Sequence, residues 1–177
     1  RGVRRVADAQ DAPRDHRKVW LLLIGVFIAA TIFRGAYEQI GNTLPLWVDS
    51  AVDRSWGSLQ IPMTWFLSLN PLFVIAMTPL LLMHWRRKAD AGRDTTPARR
   101  MAIGALIVAV AFVLLAALDA VSGGARVAWP WLALFFLVLT FGELYILPTG
   151  LGLFAKLAPP KLGATTVASW FLAVFSG

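Results

Sequence analysis

Five long apolar stretches, separated by short polar or charged ones, organise this chain. The first begins near Val19, runs through VWLLLIGVFIAATIF and continues past Arg34 to about residue 48. The second spans about 60–85, the third about 101–120, the fourth about 129–155, and the fifth runs from about 165 to 177. A helix that crosses a bilayer needs ~20 residues. The second, third and fourth stretches meet that length, the first meets it if the helix carries through Arg34, and the fifth is too short. In hydrocarbon the backbone must bond to itself, and these runs are too long for barrel strands and do not alternate. The pattern therefore predicts an all-α, polytopic membrane protein. The short fifth stretch and a first residue other than Met predict a piece of a longer protein. The first stretch is too long for a secretory signal and lacks a small-residue cleavage site after it.

Loop charges then orient the bundle. Residues 1–18 hold six Lys/Arg (Arg1, Arg4, Arg5, Arg14, Arg17, Lys18), and 86–100 hold six more (Arg86, Arg87, Lys88, Arg93, Arg99, Arg100). The loops between them carry only Arg54 and Arg126, and the last loop has Lys156 and Lys161. This alternation follows the positive-inside rule, so residues 1–18 read as a basic cytoplasmic linker and 19–177 as the bundle of an inner-membrane protein.

Composition agrees. Hydrophobic residues make up 58% of the chain and charged ones 15%, against about a quarter charged in soluble domains. The formal charge of +7 raises the question of nucleic acid. The cations cluster in two inter-helix segments, not along one face of a folded domain, so no nucleic-acid partner is expected. The absence of Cys removes disulfide and thiolate chemistry. His16 and His84 have no partner at ligand spacing, so no metal is expected. Five of the eight Trp (Trp20, Trp47, Trp85, Trp129, Trp131) lie near predicted interfaces, where an indole anchors well.

The candidate chemistry rests on two acids. Glu38 and Glu143 are the only Glu residues, and both lie inside apolar stretches. A carboxylate in hydrocarbon is costly, so each should face the protein interior or a watery cavity. Glu143 lies ~18 Å along its helix from Trp131, near the midplane. Pro148, Gly142, Gly150 and Gly152 loosen the same segment. Glu38 lies ~28 Å from Val19 on a straight helix, close to the outer interface. Arg34 precedes it by four residues and can pair with it on one face. Such a pair either anchors the interface or lines a cavity in which Glu38 exchanges protons. Asn70 precedes Pro71 within the second stretch, and its amide suits another helix or a solute. Tyr37, Gln39 and Asn42 add polar edges beside Glu38. There is no glycine-rich phosphate loop, HExxH or Ser–His pair, so no enzyme is expected.

Four stretches in order carry a family resemblance. They are Tyr37-Glu38-Gln39-Ile40-Gly41-Asn42-Thr43; Ile61-Pro62 with Ser68-Leu69-Asn70-Pro71-Leu72-Phe73; Gly142-Glu143-Leu144 with Pro148-Thr149-Gly150-Leu151; and Lys156-Leu157-Ala158-Pro159 with Trp170-Phe171-Leu172. Together they resemble the C-terminal half of a proton-dependent oligopeptide transporter of the major facilitator superfamily, about helices seven to eleven of twelve. The resemblance implies symport of di- and tripeptides with protons by alternating access. It implies that Glu143 receives the peptide amine, Asn70 the peptide backbone, and Trp170 a side chain, with Tyr37 beside them. It implies proton coupling at Glu38, with Arg34 as its neighbour. No cofactor is implied beyond the proton. The partners implied are a peptide, the lipid bilayer and a missing N-terminal six-helix half with its ExxER-type motif, in a monomer. Two positions depart from the family: Arg34 stands where an aromatic is frequent, and Leu147 where a Ser is usual. A transporter of nitrate, drugs or other amines on the same fold is the nearest rival reading, and a non-transport membrane subunit a further one.

Overall fold

The computed structural model describes residues 16–93, 95–157 and 163–176. The basic stretch 1–15, Asp94 and the 158–162 loop, which includes Ala158, Pro159 and Lys161, lie outside them. The described residues form α1 (His16–Glu38), α2 (Thr43–Ala51), α3 (Met63–Asp90), α4 (Pro97–Ser122), α5 (Trp129–Leu157) and α6 (Gly163–Phe175). Taken as one, α1 and α2 make the span Val19–Ala51, and this span, α3, α4 and α5 are each long and apolar enough to cross a membrane. Leu21, Ile32, Ile75, Leu106 and Val113 are more than half exposed. In water such a surface would aggregate, whereas lipid tails solvate it.

The first span departs from the sequence reading, which carries one helix to about residue 48. The structure interrupts it between Glu38 and Thr43. The amides of Gln39, Ile40 and Gly41 bond three residues back, to Ala36, Tyr37 and Glu38, and the Leu44 amide then reaches five back to Gln39. The side chains favour the break. Gln39 Nε2 donates to Gly35 O (3.4 Å), Asn42 Nδ2 to Glu38 O (3.2 Å), and Thr43 Oγ1 to Gln39 Oε1 (2.6 Å). Polar side chains that bond nearby backbone compete with the helical ladder. Arg34 and Glu38 fall near the midpoint of the span Val19–Ala51 in residue count, while α1 itself runs unbroken from His16 to Glu38, so the interruption leaves the ~28 Å from Val19 to Glu38 unchanged.

The helices α3 and α5 pass through Pro71, Pro79 and Pro148 without interruption. At the end opposite the basic loops, four short strands tie the spans together. β1 (Val52–Asp53) pairs in parallel with β4 (Val127–Ala128), and β2 (Ser55–Trp56) pairs antiparallel with β3 (Leu59–Gln60). Arg54 fixes this corner, ion-paired to Asp49 (2.6 Å) and donating to Ile61 O (3.4 Å). The hydroxyl and amide of Ser55 both donate to Asp53, which holds that carboxyl below the usual carboxylate range. Trp47 and Trp129 do more here than face an interface. Trp47 Nε1 donates to Asp119 Oδ1 at 2.8 Å, and Trp129 packs its ring against Trp56 and Phe66.

The helix α5 is the hub. Half of its apolar window is buried, against 11–22% for the other three spans. Phe135, Phe136, Leu139 and Thr140 on it are fully buried, and it packs against α1, α3, α4 and α6. Its approach to α4 depends on Gly104 and Gly142. A Cβ on Gly142 would fall 2.7 Å from Val108 Cγ2 and 2.9 Å from Gly104 O. One on Gly104 would fall 2.8 Å from Gly142 O. Within lipid, helices associate through close packing, so two bare backbones in contact are the strongest form of this seam. Gly142→Leu is expected to destabilise the bundle by at least about 1–3 kcal/mol, because backbone cannot yield. Thermal unfolding of the detergent-purified protein checks this, and an unchanged midpoint would refute the seam.

Candidate functional site

Glu143 is fourteen residues from either end of α5 (143 − 129 and 157 − 143), so the helix carries its one acid at its centre. The residue is 9% exposed. Its Oε2 accepts a hydrogen bond from Asn70 Nδ2 of α3 at 2.9 Å. The same amide nitrogen donates to Thr140 Oγ1 at 3.1 Å, and the Thr140 hydroxyl donates to Phe136 O at 2.7 Å. One Asn thus bridges two polar positions a turn apart on α5. Buried polar groups need partners, and here each supplies the other's.

The α1 side of the cluster begins at Tyr37. Tyr37 is half-buried and lies close enough to the Glu143 carboxylate to interact with it. Arg34 lies over the Tyr37 ring with Cζ 4.8 Å from the centroid. Its Nη2 pairs with Glu38 Oε1 at 2.5 Å, and its charge also reaches Glu143. The side chains of Arg34 and Glu38 are 26% and 46% exposed, so the pair marks the open edge of the cluster and Glu143 the closed one. Six polar residues from α1, α3 and α5 therefore form one connected patch: Arg34, Tyr37, Glu38, Asn70, Thr140 and Glu143. It can hold a cation at Glu143, an anion near Arg34, and a proton on either acid.

Five of these residues were marked in the sequence. Thr140 was not. Its signal was a lone hydroxyl three residues before Glu143 in an apolar run, a spacing that puts both on one helix face. Trp170 does not join the patch. Its indole is 3% exposed and packs on Phe154 (centroids 5.4 Å apart). The indole fills the space beside Gly150, where a Cβ would fall 2.2 Å from the ring. Gly150 is seven residues beyond Glu143, ~10 Å along α5. In this structure Trp170 holds α6 to α5. Among the described residues, no group of three or more His, Cys, Asp or Glu could hold a metal ion.

Comparison with known proteins identifies the patch's setting. The sequence profile of the POT family matches residues 3–176. The chain belongs to the POT family. It is 33% identical over 150 residues to "Uncharacterized transporter YclF" of Bacillus subtilis (strain 168), a match covering 84% of this chain and 30% of that protein. It is 32% identical over 170 residues to "Peptide transporter YePEPT" of Yersinia enterocolitica, covering 94% of this chain and 33% of that protein. The crystal structure of a peptide transporter POT in complex with sulfate superposes with a TM-score of 0.84 at 29% identity, over 92% of this chain and 33% of that one. The chain thus spans about a third of the length of the POT relatives it matches. It is a multi-pass, mainly helical membrane chain of the major facilitator type.

Proposed function

We propose that this POT chain is the C-terminal bundle, about helices seven to eleven, of a transporter that moves di- and tripeptides with protons across the inner membrane. The observation that carries the reading is the Glu143 carboxylate. It is buried at the centre of α5, bonded to Asn70 across the helices, and joined through Tyr37 to the half-open Arg34–Glu38 pair. A peptide amine beside Glu143 gains ~4 kcal/mol at ~4 Å and an effective dielectric near 20, before desolvation is subtracted. Asn70 meets the peptide backbone once its amide turns from Thr140. Glu38, with Arg34 beside it, takes the proton, so no cofactor beyond the proton is needed. The interrupted first span gives the bundle a broken helix beside the Arg34–Glu38 pair, a frequent companion of transporter sites. Positive-inside loops put residues 1–18 and the 86–100 loop on the cytoplasmic side. An N-terminal six-helix half completes the transporter, which works as a monomer. The names of several relatives support peptides over other solutes, among them two di-/tripeptide transporters from Lactococcus lactis at 27% identity.

Competition for uptake by the complete protein tests the proposal. Di- and tripeptides are expected to compete with a labelled dipeptide, and free amino acids are not. An N-acetylated dipeptide, which lacks the cation, is expected to compete at least about tenfold more weakly, a loss of ~1.4 kcal/mol. Equal competition by the acetylated peptide, or by nitrate, would overturn the peptide reading.

A further inference from the structure

A second polar site lies at the basic end of the bundle, away from the Glu143 patch. A cavity of about 190 Å³ is lined by Trp85 of α3, Pro97 and Arg100 of α4, and Pro148, Thr149, Gly152, Leu153 and Lys156 of α5. At ~30 Å³ per molecule this is the space of about six waters, enough for a polyatomic anion. Two cations face it. Arg100 is held in position, with Cζ 4.6 Å from the centroid of the Trp85 ring and Nε donating to Thr95 Oγ1 at 3.2 Å. The Trp85 ring is in turn braced edge-on by Tyr145 at 5.3 Å. The first turn of α4, opening at Pro97, adds the positive end of a helix dipole.

The decisive atom is the Thr149 hydroxyl. Thr149 is 9% exposed, and its Oγ1 is buried with no hydrogen-bond partner. An unpaired buried hydroxyl is costly and calls for an explanation, and a bound water, ion or ligand group is one. A donor hydroxyl beside Arg and Lys is the chemistry that meets phosphate oxygens.

We propose that this cavity binds the headgroup phosphate of an anionic phospholipid. The source is lipid because the site lies at the end of α3 where Arg86, Arg87 and Lys88 follow Trp85 and where Arg99 and Arg100 open α4. Basic clusters at the end of a membrane helix concentrate anionic lipid. The bound headgroup bridges α4 and α5 at the base of the Gly104–Gly142 seam and satisfies the Thr149 hydroxyl. This reading stands apart from peptide transport, since it uses none of the residues of the Glu143 patch.

Native mass spectrometry of the complete protein tests it, reading retention of phosphatidylglycerol relative to phosphatidylcholine. The wild type is expected to prefer phosphatidylglycerol by about tenfold or more. The double variant R100Q/K156Q is expected to lose that preference, and T149V to reduce it about threefold. T149V also guards against misfolding. Its hydroxyl has no partner within the protein, so its thermal midpoint in lipid-free detergent should equal or exceed that of the wild type. An unchanged lipid preference in R100Q/K156Q overturns the site. A clear loss of stability in lipid-free T149V overturns it as well, because the hydroxyl would then have a structural partner. Full displacement of the lipid by millimolar inorganic phosphate would assign the cavity to a free oxyanion instead.

Discussion

Changing Glu143 to Gln is expected to lower proton-driven dipeptide uptake by the complete protein by about 100-fold or more, ~2.7 kcal/mol. The substitution removes the charge and keeps the shape. The Gln side-chain oxygen still accepts from Asn70, so the link between α3 and α5 survives and thermal stability should stay within about 1 kcal/mol of wild type. What is lost is the attraction for a cation at mid-depth, ~4 kcal/mol at ~4 Å before desolvation. The loss should reach binding as well as turnover, because the ammonium meets the carboxylate in the ground state. Asn70→Ala is a weaker change. It removes the bond that Thr140 accepts, leaving its bond to Phe136 O, and frees the carboxylate on its α3 side, and about a tenfold loss is expected, mostly in KM. Proteoliposome uptake, run alongside thermal unfolding, checks both. If E143Q takes up dipeptide at the wild-type rate, the central acid has no part in substrate binding.

Much of this architecture is written in the chain. Membrane helices are legible because hydrocarbon imposes one rule on every residue: a run long enough and apolar enough crosses. That rule finds α3, α4 and α5, and it finds Glu143 as the group breaking it. It does not find the interruption after Glu38. Gln39, Gly41, Asn42 and Thr43 are individually tolerable in a helix, and only their joint bonding to nearby backbone decides the break. Trp170 shows a second limit. An aromatic on a short helix can face a solute or a neighbour. Gly150 is the residue that makes room for it, yet it is distant in sequence and carries no mark of its partner. Asn70 and Glu143 were legible singly, but their contact was not, because no local spacing links positions on separate helices. Thr149 reads as one more hydroxyl beside Pro148, and only burial without a partner sets it apart.

A different loss is expected at the open edge of the patch. Glu38→Gln should abolish the stimulation of uptake by an inward proton gradient, a fall of about 50-fold or more, while exchange of labelled for unlabelled dipeptide without a gradient stays within about threefold of wild type. The two acids differ in surroundings. Glu143 is closed in by Asn70 and Tyr37, whereas the Glu38 side chain is 46% exposed and open to water. Arg34 gives the exchange its consequence. With Glu38 ionised, the pair is neutral and closed at 2.5 Å. Once Glu38 is protonated, the guanidinium carries an uncompensated charge whose field extends to Glu143. In the proposed symport, that change in field beside the central carboxylate links proton binding to substrate binding. Glu38→Gln fixes the system in the protonated arrangement, so exchange continues while the gradient has nothing left to drive. Arg34→Gln removes the messenger instead. Glu38 keeps its proton chemistry, but Glu143 no longer senses it, so gradient stimulation should fall with little change in stability, because a half-exposed i,i+4 pair contributes only ~0.3–0.5 kcal/mol. If Arg34→Gln leaves gradient stimulation intact while Glu38→Gln removes it, the coupling does not run through the guanidinium.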